Sequence, residues 1–226
     1  MLEACLALGA FGVGLGFFIN HEVEGLPYLI FLAPGVVMSS VLFTSTIESM
    51  MGTFVRMHIE RTFESIIATP ISIEEVVTGE IMWASTRATL TGGGVLLVTV
   101  IFQLSPSWWA IVMLPFFFIA GFMLSSLTTI VIALTPRMSS FSYFISLGIY
   151  PMQLFSGIFF PLSLLPAQLY WIPYISPLYP AVTVARDLFV GRFSTAASLV
   201  SVLWCLLLAV CFYLIALTLM RRRLLR

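Results

Sequence analysis

No residue between 138 and 185 is charged, and none between 25 and 47. A segment of that kind has two possible settings, across a lipid bilayer or inside a very large soluble core. The rest of the composition removes the second: 60% of the 226 residues are hydrophobic and 9% are charged, against roughly 25% charged residues in soluble domains. Too few ionic side chains remain to cover a water-facing globule without large exposed apolar patches. The chain therefore reads as an all-α, polytopic membrane protein.

A hydrocarbon core about 30 Å thick takes about 20 helical residues at 1.5 Å each. Dividing the apolar runs by that length gives six spans, near 2–20, 27–54, 76–103, 108–135, 140–161 and 194–220, in one transmembrane domain covering 1–226. The fifth stops there because Pro161, Pro166, Pro173, Pro177 and Pro180 crowd the stretch that follows, and proline lacks the N–H a helix needs. The stretch 162–190 is too apolar for a soluble loop, since Leu164, Leu165, Leu169, Trp171 and Ile175 would be exposed. It is expected to form short re-entrant helices on the outer side. Pro151 should kink the fifth span, and Gly92, Gly93 and Gly94 either loosen the third or admit a neighbour's backbone.

Arginine placement sets the orientation, because cytoplasmic loops retain positive charge. With both ends inside, cytoplasmic segments hold Arg56, Arg61, Arg137, Arg221, Arg222, Arg223 and Arg226, whereas the outer loops hold Arg186 and Arg192. The rings of Tyr28, Trp108, Trp109, Tyr170, Trp171 and Tyr174 then gather at the outer interface, where amphipathic aromatics belong. Glu3 stands where a signal peptide would carry positive charge, so the first span is expected to stay in the protein.

All ten basic residues are arginine, which excludes a Walker-type ATPase and a Schiff-base enzyme, since both need a lysine. His21 and His58 fall on opposite membrane faces, and Asp187 is the one aspartate. Neither a metal site nor a serine–histidine pair can be assembled from them. Phe155-Ser156-Gly157 has the look of an intramembrane serine protease motif but lacks a base. Cys5, Cys205 and Cys211 sit in apolar runs without paired spacing and read as small hydrophobes.

The polar stretch 56–80 carries the most information. Ile59, Phe63, Ile66 and Ile67 recur at helical spacing, with His58, Glu60, Arg61, Glu64 and Ser65 on the other faces, the pattern of an amphipathic surface helix. Arg56 with Glu60 and Arg61 with Glu64 are spaced for same-face ion pairs. Ser72 and Glu75 have capping-box spacing for the next helix. Such a surface helix either tidies the loop or docks a soluble partner. Within the spans, Glu48 and Arg87 are the ionisable residues that stand out. Both are placed near the cytoplasmic ends of their helices, where snorkelling or a mutual salt bridge satisfies them.

Three segments resemble those of the ABC-2 type exporter permeases, the membrane subunits that pair with a separate ATPase. The stretch 56–70, R-M-H-I-E-R-T-F-E-S-I-I-A-T-P, is similar to the family segment after the second helix that contacts the nucleotide-binding subunit. The stretch 151–166, P-M-Q-L-F-S-G-I-F-F-P-L-S-L-L-P, resembles the S-G-x-x-F-P-x-x-x-L-P signature. Ser176-Pro177-Leu178 followed by Arg186 is similar to the family's outer P-L…R segment. The first two are nearest to the nodulation-type branch, whose members export lipid-modified chitooligosaccharides. Family members usually carry a cytoplasmic amphipathic helix before the first span, whereas here Met1 stands almost at the membrane. They often have His and an acidic residue in the outer segment, where this chain has Pro180 and Thr183.

The resemblance implies a permease in the inner, cytoplasmic membrane, working as a homodimer or heterodimer with nucleotide-binding ATPase subunits and moving an amphipathic substrate outward. ATP and Mg would be bound by the ATPase and no cofactor by this chain, with no role for nucleic acid. It implies a coupling interface at Arg56, Glu60, Arg61, Thr62, Phe63, Glu64, Thr69 and Pro70, and an outer gate at Ser156, Gly157, Pro161 and Arg186. A passive channel or scaffold and an intramembrane enzyme are the other classes open to such a chain; no span carries a ring of acidic side chains suited to a cation pore. Cysteines placed singly at Glu22 and Gln168 should react with an impermeant thiol probe added outside, and one at Arg137 should not. Labelling at Arg137 would overturn the topology.

Overall fold

The computed structural model describes residues 6, 9, 10, 14, 23, 25–58, 60, 70–104, 107–135, 138–161, 166–169, 171–192 and 196–224. Among these residues the chain is helical, and one isolated bridge, Val23 with Leu26, is the extent of β pairing. Among the described residues four helices are long and apolar enough to cross a membrane: Tyr28–Met57, Ile73–Ile101, Trp108–Leu134 and Ala197–Leu224. Most of the expected span at 2–20, and residues 59 and 61–69 of the amphipathic segment, lie outside the described residues.

The first of these helices is continuous but not uniform. α1, Tyr28–Ile47, runs into a π-helical stretch, Glu48–Thr53, and ends as α2, Phe54–His58. It holds its helical path through Pro34 because it is enclosed on most sides, with Phe31, Leu32, Val37, Met38, Val41 and Leu42 fully buried. α3, Ile73–Ile101, starts on the expected capping box: the Ser72 hydroxyl accepts the Glu75 N–H at 3.3 Å, and the Glu75 carboxylate accepts the Ser72 N–H at 2.7 Å. Two of the orphan donors at the helix start are satisfied this way.

α3 packs antiparallel against α1. At Gly92 a side-chain β-carbon would lie 2.6 Å from Val41 Cγ2 and 3.1 Å from Phe117 Cδ2, so glycine lets three helices meet at one level. The glycine triplet therefore admits neighbouring side chains, and α3 continues unbroken through it. A 3₁₀ turn, Trp108–Val112, leads into α4, Met113–Leu134. Hydroxyls hold α3 to α4: Ser125 donates to the Ile81 carbonyl at 3.3 Å and lies 3.5 Å from the Ser85 oxygen.

The fifth expected span differs from its expectation. It consists of α5, Ser140–Phe144, a π-helical stretch, Ile145–Ile149, and α6, Tyr150–Phe155. At 1.5 Å per residue this is roughly 24 Å of helix, short of the ~30 Å core. The helix stops at Ser156 because Gly157 takes a left-handed φ of 75°, several residues before Pro161. The π stretch lies just ahead of Pro151, whose ring cannot tolerate a regular preceding turn. α5 packs on α2 and α6 on α1: Phe141 is edge-on to Phe54 with centroids 5.0 Å apart, and Gln153 donates to Ser39 at 3.2 Å.

The apolar stretch beyond contains short helices: a 3₁₀ turn, Ala167–Leu169, then α7, Ile172–Ile175, and α8, Leu178–Val190. α8 buries Leu178, Ala181, Val182, Val184, Ala185, Leu188 and Phe189 in the core formed with α1. Tyr28, the first residue of α1, is buried there at 6% exposure, its hydroxyl donating to the Phe159 carbonyl at 3.2 Å. α9, Ala196–Leu224, is buried along one stripe of mostly small residues, Ser198, Cys205, Ala209 and Ala216, ending at Met220.

Gly79 and Gly92 are both inside α3, but a β-carbon at Gly79 meets nothing within 4 Å. Gly79→Ala should therefore raise stability by about 0.5–1 kcal/mol, while Gly92→Ala should lower it by about 1–3 kcal/mol through overpacking. Unfolding titrations in detergent check both, and equal effects would contradict the close approach at Gly92.

Candidate functional site

Polar side chains gather at two places along α1. The first is built by the π-helical stretch, which brings Glu48, Thr53 and Arg56 toward α3. Arg56 Nη2 donates to Glu80 Oε2 at 2.5 Å, and Thr53 Oγ1 donates to the same oxygen at 3.1 Å. About two turns farther along α3, on a more exposed face, Arg87 Nη1 donates to Glu48 Oε2 at 2.7 Å, and the Trp83 indole N–H donates to Glu48 Oε1 at 3.0 Å. Gly52 leaves the room that Arg56 uses, because a β-carbon there would lie 2.9 Å from Arg56 Nη2. The result is a two-rung ladder with the acid on α1's side in one rung and on α3 in the other.

The mutual salt bridge expected of Glu48 and Arg87 is present. Arg87 is the midpoint of Ile73–Ile101. The charged first turns of α3, Glu74 to Glu80, precede its apolar part, so Arg87 lies about two turns into that part, on its N-terminal side. Arg56, expected beside Glu60, has Glu80 as its ion-pair partner. Glu60 is held through its backbone, its N–H donating to Val55 at 3.0 Å. Pro70 is an exposed turn residue two positions before the cap. Arg61, Thr62, Phe63, Glu64 and Thr69 lie outside the described residues.

Sequence reasoning missed Glu80, Thr53 and Trp83. A signal was there: Glu48 and Arg56 are about two helical turns apart, and so are Glu80 and Arg87, in the same acid-then-base order along the chain. Two such pairs match only when the helices run antiparallel. The end of the bundle with the ladder is closed further by α9. Thr78 and Tyr213 share a hydrogen bond of 2.7 Å, Arg221 pairs with Glu74 at 3.2 Å, and Arg223 donates to the Ile132 carbonyl in the last turn of α4.

The second gathering joins the turn after α6 to α8. Ser156 Oγ lies 2.8 Å from Ser176 Oγ and also donates to the Met152 carbonyl. Arg186 Nη2 donates to the Gly157 carbonyl at 2.6 Å, and its guanidinium carbon sits 3.8 Å above the centre of the Phe31 ring. A ring face and a carbonyl oxygen each attract a guanidinium, and together they hold the part-buried Arg186 side chain at this turn. Ser156, Gly157 and Arg186 are thus brought together, and Pro161 stands half-buried at the far end of the same turn. The Asp187 carboxylate accepts from Ser198 at 2.5 Å and ties α8 to α9. Among the described residues no group of His, Cys, Asp and Glu is placed to hold a metal.

Residues 6–190 match the family described as ABC-2 type transporter. The chain belongs to that family. Two curated relatives are both named Nodulation protein J. The one from Rhizobium meliloti (strain 1021) is 34% identical over 193 residues, covering 84% of this chain and 72% of the relative. The one from Rhizobium leguminosarum bv. viciae is 32% identical over 227 residues, covering 100% of this chain and 86% of the relative. This ABC-2 chain is accordingly a membrane transport component, multi-pass by its apolar helices, and the family's members are transport subunits rather than enzymes. Two of the segments that carried the resemblance, 151–166 and 176–186, meet at Ser156–Ser176 and Gly157–Arg186.

Arg186→Gln removes the charged donor and the ring contact together, and is expected to cost about 1.5–3 kcal/mol. Ser176→Ala should cost less, about 1 kcal/mol. Detergent unfolding of the two variants decides whether Arg186 is the main tie at this end; equal losses would say it is not.

Proposed function

We propose that this chain is the membrane subunit through which a separate ATPase exports an amphipathic substrate, such as a lipid-linked oligosaccharide, a glycolipid or a hydrophobic drug. Family membership implies partnership with an ATP-binding subunit, and the match over 6–190 is the observation that carries the reading. In this reading the chain crosses the inner membrane six times, with both ends in the cytoplasm, and works as a dimer of permeases. ATP and Mg belong to the partner.

Segment 56–69 is the docking element. Its sequence pattern offers the bundle an apolar face of Ile59, Phe63, Ile66 and Ile67 and leaves Glu60, Arg61 and Glu64 to meet the ATPase, with Thr69-Pro70 as its end. Binding energy in the ATPase must favour one permease conformation over the other for transport to follow. A segment joined directly to two spans is suited to that. What supports this placement is the Arg56–Glu80 pair at its root. At the other end, the Ser156-Gly157 turn and Arg186 form the outer gate, whose opening would break the Gly157 carbonyl's bond to Arg186. The resemblance of segments 56–70 and 151–166 to the nodulation-type branch favours the lipid-linked oligosaccharide within the substrate class.

Reversing charge at Arg61 and Glu64 together should reduce co-purification of the ATPase and the stimulation of its activity by substrate, and leave membrane insertion unchanged. Normal stimulation and normal export in that double variant would remove the segment from the mechanism.

A further inference from the structure

The Arg56–Glu80 pair sits where the chain leaves one spanning helix and enters the next. Arg56 is in α2, the last turn before the connecting segment, and Glu80 is two turns above the Ser72 cap of α3. The Glu80 side chain is only 15% exposed, and one of its oxygens accepts from both Arg56 and Thr53. A carboxylate so enclosed cannot exchange its partners for water without cost. The second rung, Glu48–Arg87, lies about 10 Å farther along the helix axes. A single bond between two rods is a pivot, whereas two bonds separated along their length prevent the rods from splaying or rotating apart.

We propose that Glu80 is a positioning residue for energy coupling: it fastens α2 to α3, so that a displacement of the connecting segment moves both helices as one body. The inference rests on the coupling role proposed above for that segment. Without Glu80, a push at the segment would swing α2 away from α3, because α3 is held independently to α9 through Thr78 and Tyr213 and through Glu74 and Arg221. Arg56 and Thr53 would then lose their common acceptor, and motion would dissipate in the gap between the helices. The rung at Glu48 and Arg87 remains as the upper attachment, which makes Glu80 the point where the two helices part first.

The test uses the full chain with its ATPase in proteoliposomes, with Cys5, Cys205 and Cys211 replaced by Ala and spin labels at Val55→Cys and Gly79→Cys. Distances are measured without nucleotide and with vanadate-trapped nucleotide. The label distance should be the same in both states for the otherwise unsubstituted chain, should shift and broaden on trapping in Glu80→Gln, and should be restored by the swap Arg56→Glu with Glu80→Arg. Arg56→Gln breaks the same pair from the other side and should behave as Glu80→Gln does, so a folding failure in one variant leaves the other to decide. A distance that changes on trapping in the unsubstituted chain, or one that stays fixed when the pair is broken, overturns the clamp and leaves the coupling reading standing. Failure of any ATPase to co-purify with the unsubstituted chain overturns both.

Discussion

The enclosure of α1 is the condition on which the rest of the structure depends. In lipid there is no water to satisfy a backbone or a hydroxyl, and apolar surface gains nothing by leaving the hydrocarbon. Helices then hold together by close packing and by the polar groups they share. α1 meets both requirements at once. Gly92 lets Val41 and Phe117 close on one level, Ser39 receives Gln153, and Phe31 lies beneath Arg186. α3, α4, the broken fifth helix and α8 each take one side of it. α9, by contrast, is bound along a single stripe and leaves Leu199, Leu203, Leu207, Val210 and Leu214 exposed, as expected of a helix facing lipid.

What could be read from the sequence follows the range of the interaction that decides each feature. The cap at Ser72 and Glu75 was legible because its two partners are three residues apart. The Glu48–Arg87 bridge was legible because almost no other charge lies inside the spans. The family segments were legible as motifs, but their meeting was not, since Ser156 and Ser176 are joined only when α8 folds back over the fifth helix. The fifth span was read too long because Pro161 is the conspicuous stop, while the backbone turns earlier, at Gly157. Arg56 was assigned a local partner because local spacing is all that a sequence displays. Its pairing with Glu80 requires the antiparallel register of α1 and α3 and the wider turn of the π-helical stretch, and neither has a reliable sequence signal.

The two polar gatherings differ in kind. At the ladder, charge answers charge, and each carboxylate accepts from two side chains. At the Ser156–Arg186 cluster, the partners of the ionised group are a carbonyl and a ring, with hydroxyls beside them. The first arrangement holds two long helices over much of their length. The second pins a short helix to a broken one, and its members come from turns and helix ends. Resistance to bending suits the ladder end and capacity to rearrange suits the cluster end, a division that fits the coupling and gate roles proposed for them.

The alternating signs of the ladder also fix how α1 and α3 can find each other during assembly. Sliding α3 by about two turns in one direction would set Glu80 against Glu48, and sliding it by a similar distance the other way would set Arg87 against Arg56. Each misalignment replaces an attraction by a repulsion in a medium that screens charge poorly. Two rungs of the same sign order would permit a slip that keeps one attractive pair. With the order reversed, the native register is bounded on both sides, and the helical hairpin carries its own ruler before the remaining helices arrive.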